Sequence, residues 1–238
     1  MKISVILPTY NESASICQLI AEIVKILSKE SYEYELIIVD DNSPDGTCQL
    51  ILDNFRDNPG VIPILRTTNR GLASAILHGI RASSGDTVVV MDTDFNHPPD
   101  LIPLLIKITD YFEIAVGSRY VIGGGMETSR MRYLGSKIFN KFIRYSLGVK
   151  TTDNLSGFFA FKKSILDGLN LEKIFYGYGD YFIRFLYIMQ KKKRFIHEIP
   201  VVYKDRIGGL SKTDLKKELL LYTISVLKIR FSKSGFTD

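Results

Sequence analysis

Val88-Val89-Val90-Met91-Asp92-Thr93-Asp94-Phe95-Asn96-His97-Pro98-Pro99-Asp100 is the stretch around which the chain is organised. The β-branched run at 87–90 has the pattern of a strand buried on both faces. It stops at Asp92-Thr93-Asp94, and two prolines follow. Two carboxylates one residue apart at the end of a buried strand repel each other. A hard divalent cation between them relieves that repulsion and, held by few protein ligands, keeps positions open for phosphates. The plainer reading is that the two aspartates end a strand and cap the next helix.

Outward from this stretch, apolar strands alternate with amphipathic helices. Strands are expected at 2–7, 34–39, 61–65, 87–91 and 113–116, and helices at 13–28, 47–55, 71–82 and 99–109. That alternation predicts an α/β fold with a mostly parallel central sheet flanked by helices. Ligands of such sheets bind beyond the carboxyl ends of the strands, where strand order reverses. The polar clusters at 8–12, 40–45 and 92–96 all follow strands, so they are expected to converge on one edge. Beyond residue 116 the alternation weakens. Gly123-Gly124-Gly125 reads either as a lid that orders on binding or as a plain surface loop. A basic helix is expected at 129–147, a strand near 159, a helix at 179–189 and a strand at 194–202. A helix at 213–232 has a wide apolar face with basic edges, which fits an interfacial helix or one packed on its own domain.

The 238 residues suffice for one large domain or two small ones. The net charge of +5 suits anionic partners but is too dispersed to indicate nucleic acid. Lys191-Lys192-Lys193-Arg194 reads as a solvated helix end. Cys17 and Cys48 offer neither a disulfide framework nor metal-ligand spacing, which favours a reducing compartment. The first residues are a strand pattern rather than a signal peptide, and there is no run of 18 apolar residues.

With these motifs in order, the chain resembles family 2 glycosyltransferases of the GT-A (nucleotide-diphospho-sugar transferase) fold. Within them it is most similar to the polyprenyl-phosphate group typified by dolichol-phosphate mannose synthases. The resemblance rests on residues 5–12, 39–47 and 69–72, on Met91 to Asp94 with His97-Pro98-Pro99, and on Gly117-Ser118-Arg119-Tyr120. It continues through Asp153 with Ser156-Gly157-Phe158, then Asp205-Arg206 with Ser211-Lys212. Each motif is weak alone; the ordered set covers nearly the whole chain.

The resemblance implies a nucleotide-sugar donor held by Pro8, Tyr10, Glu12, Asp40 and Asp92. Asp41 and Asp45 are read as turn and cap residues. Asp92 and Asp94 would hold Mg²⁺ or Mn²⁺, with Asn96 where relatives carry Gln as a further ligand. Acting as a Lewis acid, the ion would offset charge on the departing nucleoside diphosphate. His97 reads as a hydrogen-bonded loop residue. The acceptor implied is a polyprenyl or dolichyl phosphate, met by Arg119, Arg132, Arg206, Ser211 and Lys212, with Arg130 left as a surface charge. Asp92, Asp94, Arg119 and Arg206 form the expected catalytic set. Phe159 stands where many relatives have Arg.

The expected activity is metal-dependent, inverting hexose transfer, with GDP-mannose as first donor and UDP-glucose as second. The expected organisation is a catalytic domain over 1–212 and an amphipathic helix and tail over 213–238. The protein would be peripheral at the cytoplasmic face of a membrane, docked by that helix or by a partner subunit, or the sequence stops short of a membrane region. Two other classes compete. A phosphatase of the haloacid dehalogenase type also ends a strand in Asp-X-Asp, but near its amino terminus and without Asn at the position of Asn96. A non-catalytic sugar-nucleotide-binding subunit finds support only in Asn96 and Phe159.

Overall fold

The computed structural model describes residues 1–30, 32–127, 130–204 and 215–232. Its main sheet has seven strands: β1 (Lys2–Thr9), β2 (Glu33–Asp40), β3 (Val61–Leu65), β4 (Thr87–Val90), β5 (Ile114–Ser118), β7 (Phe159–Lys162) and β8 (Ile196–Pro200). Their spatial order is β3-β2-β1-β4-β7-β5-β8. β7 runs antiparallel to both neighbours, and the other pairings are parallel. A separate parallel pair joins β6 (Gly125–Met126) to β9 (Val202–Tyr203). The α/β expectation holds, with one antiparallel strand inserted.

Alternation along each strand explains why both faces are covered. Val5 and Leu7 of β1 face one core with α1 (Ile16–Lys29) and α4 (Ile102–Ile108). Ile6 faces a second core with α3 (Leu72–Ala82) and α6 (Tyr181–Lys191). α2 (Thr47–Phe55) adds Ile51 to the first core. With helices on both sides, successive residues are buried on alternate faces, so β1 and β4 have no solvent-facing side. Gly79 lets α3 approach β1 closely: a Cβ there would lie 2.5 Å from Cγ2 of Ile6.

Successive strands β1, β2 and β3 step in one direction, and β4 returns to the other side of β1. Strand order therefore reverses between β1 and β4, which opens a crevice beyond their carboxyl ends. The three-glycine segment is ordered rather than loop-like at its end. The Gly125 amide donates to the Val201 carbonyl, and Gly124 packs so closely on Ser118 and Arg119 that a Cβ would sit 2.4 Å from the Ser118 oxygen.

α5 (Arg130–Leu147) and α7 (Leu215–Phe231) pack together at one side. Val226 and Ile229 of α7 join Ile143, Leu147, Val149 and Ile183 in a small core. The buried guanidinium of Arg184 pairs with Asp180 and donates to Ser225 of α7 at 3.0 Å, tying this helix to the domain. The opposite side of α7 leaves Leu220, Ile224, Leu227 and Phe231 exposed. Among the described residues no helix is long and apolar enough to cross a membrane.

Candidate active site

A cavity of about 690 Å³ opens at the crevice between β1 and β4. Pro8 lines it from the end of β1, Tyr10 and Glu12 from the segment that follows, Asp41 after β2, Arg70 and Gly71 before α3, and Asp92 and Asp94 after β4. Tyr178 and, from α7, Glu218 complete its wall. Its size suits a nucleotide-scale ligand, and most of its lining residues are polar or charged.

The loops are stapled together by side chains that satisfy backbone donors. The amides of Asn11, Glu12 and Ser13 donate to Ser43 Oγ, Thr47 Oγ1 and Asp45 Oδ2 at 2.9, 3.0 and 3.0 Å. Asn11 and Asn42 take left-handed backbone angles, which asparagine tolerates better than most residues. Asp45 also accepts from the Thr47 amide, so it serves the loop as a turn residue. Although burial alone would raise it, these hydrogen bonds hold the Asp45 carboxyl below the ordinary range.

Asp40 is buried, and both its oxygens accept from Ser43, from the amide at 2.9 Å and from the hydroxyl at 2.5 Å. It is absent from the cavity wall. Asp41 occupies the wall instead, while pairing with the buried Arg66 and accepting from the Gly71 amide at 2.6 Å. The sequence placed Asp40 on the donor pocket and Asp41 in the turn; of the two, Asp41 is the one on the cavity wall, and Asp40 makes the turn contacts to Ser43. Arg70, also unassigned from sequence, lies 4.9 Å above the Tyr10 ring.

The Asp92 side chain is 46% exposed, and Asp94 is largely buried. Asn96 donates to Asp94 twice, from its backbone at 3.1 Å and its side-chain amide at 2.9 Å. A carboxylate only accepts, so the NH₂ end of Asn96 faces Asp94. Two neighbouring carboxylates on a cavity wall are hard oxygen donors that fit a divalent cation completed by phosphate oxygens and water. No cluster of three or more His, Cys, Asp or Glu suited to a metal exists among the described residues. Asp92 and Asp94 would hold the ion, with Asn96 orienting Asp94.

Behind Asp92 lies a buried polar layer that sequence reasoning did not assemble. The His97 ring is fully buried, stacked on Phe158 with centroids 4.9 Å apart. Its Nδ1 accepts from the Asp92 amide at 2.9 Å, and Nε2 lies 2.9 Å from Tyr203 Oη and 3.1 Å from the Ser156 carbonyl. Burial pushes its pKa down to about 4, against the pull of Asp94, so the ring is neutral at pH 7. Arg119 is buried beside this layer, its Nε and Nη2 each 2.7 Å from Asp153. Burial alone would lower the Arg119 pKa, but Asp153 raises it well above the usual arginine value. Two of its donors are thus spent on Asp153, and Arg119 is not on the cavity wall. Arg132 is exposed on α5. Arg206, Ser211 and Lys212 lie outside the described residues. Phe159 is a core residue against Phe182 and Phe185, which leaves no place there for a phosphate contact.

A mixed sheet with its crevice at the β1–β4 switch and an Asp-X-Asp on its wall defines the GT-A class of nucleotide-sugar folds. Residues 4–169 match the glycosyl transferase family 2, and the chain belongs to that family. It is 38% identical over 216 residues to a dolichol-phosphate mannosyltransferase of Pyrococcus furiosus, covering 89% of this chain and 59% of that protein. It is 34% identical over 170 residues to an undecaprenyl-phosphate 4-deoxy-4-formamido-L-arabinose transferase of Proteus mirabilis, covering 71% of this chain and 51% of that one. The chain thus spans between half and three-fifths of these relatives' lengths. Among solved structures, the Mycobacterium tuberculosis glucosyl-3-phosphoglycerate synthase with Mn²⁺ and UDP-glucose superposes with a TM-score of 0.71 at 23% identity. The match covers 96% of this chain and 78% of that one and speaks to the fold.

Proposed function

We propose that the protein is an inverting glycosyltransferase that moves a hexose from a nucleotide sugar to a polyprenyl or dolichyl phosphate, with Mg²⁺ or Mn²⁺ as cofactor. GDP-mannose is the first choice of donor. The observation that carries this reading is the cavity walled by Tyr10, Glu12, Asp92 and Asp94, at the point where strand order reverses. The relatives' names, both polyprenyl-phosphate sugar transferases, support the acceptor class.

Tyr10 offers an aromatic face for the base, and Glu12 accepts from ribose hydroxyls. Asp92 and Asp94 would hold the cation, which supplies Lewis-acid stabilisation of the leaving diphosphate when bound. A phosphate monoester carries about −1.5 to −2 charge near neutrality and is already a nucleophile. Its oxygen attacks the anomeric carbon as the bond to the nucleoside diphosphate breaks, so one displacement inverts that centre without a protein nucleophile. What this chain supplies is orientation and charge balance. Arg132, Arg206, Ser211 and Lys212 are assigned to the acceptor phosphate. Arg119, held by Asp153 behind the cavity wall, adds positive charge to that side of the site without lining it.

Docking at a membrane surface follows from charge. α5 carries five basic and no acidic residues, and α7 four basic and one acidic, together +8 in a chain of net +5. Met131, Leu134 and Ile138 of α5 are exposed among those charges, as are Leu220 and Ile224 of α7. Apolar side chains flanked by cations fit the interface of an anionic bilayer.

The test incubates protein with labelled nucleotide sugars, undecaprenyl or dolichyl phosphate and Mn²⁺, with and without chelator. Label is expected in the organic phase from GDP-mannose, lost with chelator, and reduced at least a hundredfold by Asp94→Ala. Transfer that survives chelation overturns the metal assignment. Absence of lipid-linked sugar from every donor overturns the activity.

A further inference from the structure

Resting on the reading of Asp92 and Asp94 as the cation site, we propose that His97 is a positioning residue. Its ring fixes the Asp92 backbone through Nδ1 and binds the β9 tyrosine, Tyr203, through Nε2, joining the donor side of the site to its acceptor side. A backbone amide only donates, so Nδ1 beside the Asp92 amide carries no proton and the ring proton sits on Nε2. That proton faces Tyr203 Oη and the Ser156 carbonyl, and the tyrosine hydroxyl donates to the same carbonyl at 2.7 Å. Both ring nitrogens are thus used, and neither is open to a cation.

The ring cannot drift, because it is stacked on Phe158 and edge-on to Tyr203. Tyr203 in turn lies 4.7 Å under the Arg119 guanidinium. One continuous layer therefore runs Asp92, His97, Tyr203, Arg119, Asp153. A histidine that served packing alone would need no partner on Asp92. Here one nitrogen is aimed at the backbone of the more exposed carboxylate and the other at the tyrosine under Arg119.

Three substitutions separate these links. In His97→Phe the stack on Phe158 survives and both hydrogen bonds go. In His97→Asn the amide oxygen falls near the Nδ1 position, but the side chain ends short of Tyr203. In Tyr203→Phe the link to Asp92 stays, while the hydroxyl's contacts to His97 and Ser156 go. Mn²⁺ binding in the presence of GDP is read by the electron paramagnetic resonance of free Mn²⁺, and acceptor KM is measured with undecaprenyl phosphate. His97→Phe is expected to weaken Mn²⁺ about tenfold, in line with loss of a buried hydrogen bond. His97→Asn is expected to restore Mn²⁺ binding to within about twofold of the parent, as one bond regained implies. His97→Asn and Tyr203→Phe should each raise acceptor KM with donor KM unchanged, and the double variant should be no worse than either single one. Equal Mn²⁺ loss in His97→Asn and His97→Phe, or additive acceptor defects, overturns the inference. Parent protein that binds no Mn²⁺, or Asp92→Asn binding as tightly as the parent, overturns the cation-site reading and this inference with it.

Discussion

Arg119 shows how a residue found by motif acquires its meaning from a partner far along the chain. Its fork is closed on Asp153, 34 residues away, and both groups are buried. Removing one member of a buried pair leaves an uncompensated charge, which costs about 3–5 kcal/mol. Asp153→Asn is therefore expected to lower the urea midpoint strongly while the slope of the transition is unchanged. A midpoint equal to the parent's would mean that Arg119 finds other partners. The place of Asp92 and Asp94 on the cavity wall was legible because both follow a buried strand at its carboxyl end. That Asp41 and not Asp40 lines the cavity was not, because neighbouring residues at a strand end point opposite ways. Which one meets the cavity depends on Ser43 and Arg66. His97 was legible as a bonded loop residue. Its partners Ser156 and Tyr203 lie 59 and 106 residues on, beyond any local pattern.

At the scale of elements, helical spacing identified α5 and α7 as amphipathic but did not say which side of each would be covered. Packing resolved it: Val226 and Ile229 face the domain, and Leu220 and Ile224 face outward. The exposed residues are what the membrane proposal requires. Wild-type protein is expected to sediment with vesicles containing anionic lipid, less so as ionic strength rises. Ile138→Asp combined with Leu220→Asp should abolish sedimentation without altering the circular dichroism. Ile138 is 67% exposed and Leu220 62%, so neither change disturbs a core. Sedimentation unaffected by the pair would place the docking surface elsewhere. The short strand at Gly125–Met126 marks the limit of reading from spacing. A three-glycine run looks flexible in sequence, whereas here the glycines admit a close approach of two backbones.

Across the whole molecule, a second buried polar cluster lies at the other end of the sheet from the cavity. The cavity lies beyond the carboxyl ends of β1 and β4. Near the amino ends, the buried Glu35 carboxylate accepts from the Ser4 hydroxyl and from the amide and hydroxyl of Ser84, with Lys2 3.1 Å away. Burial alone would raise its pKa, but these partners bring it down to about 2. The folded pKa is thus below the unfolded one. The carboxylate's contribution is complete above about pH 4.5 and is lost as pH falls toward 2, amounting to no more than about 3 kcal/mol. Urea midpoints measured from pH 6 to pH 3 should fall across that window in the parent and less steeply in Glu35→Gln. Identical pH profiles would assign the acid sensitivity to other groups.

By itself, the sequence determined the strands and helices, the parallel character of the first half, and the edge where the polar loops meet. These follow from local periodicity and from the handedness of strand crossovers, both written in consecutive residues. Only the tertiary structure decided that Asp41 rather than Asp40 lines the cavity, that Arg119 is held by Asp153, and that His97 spans from Asp92 to Tyr203. Those outcomes depend on side chains brought together from distant strands, and hydrogen bonds and buried charges are set by that proximity rather than by spacing along the chain.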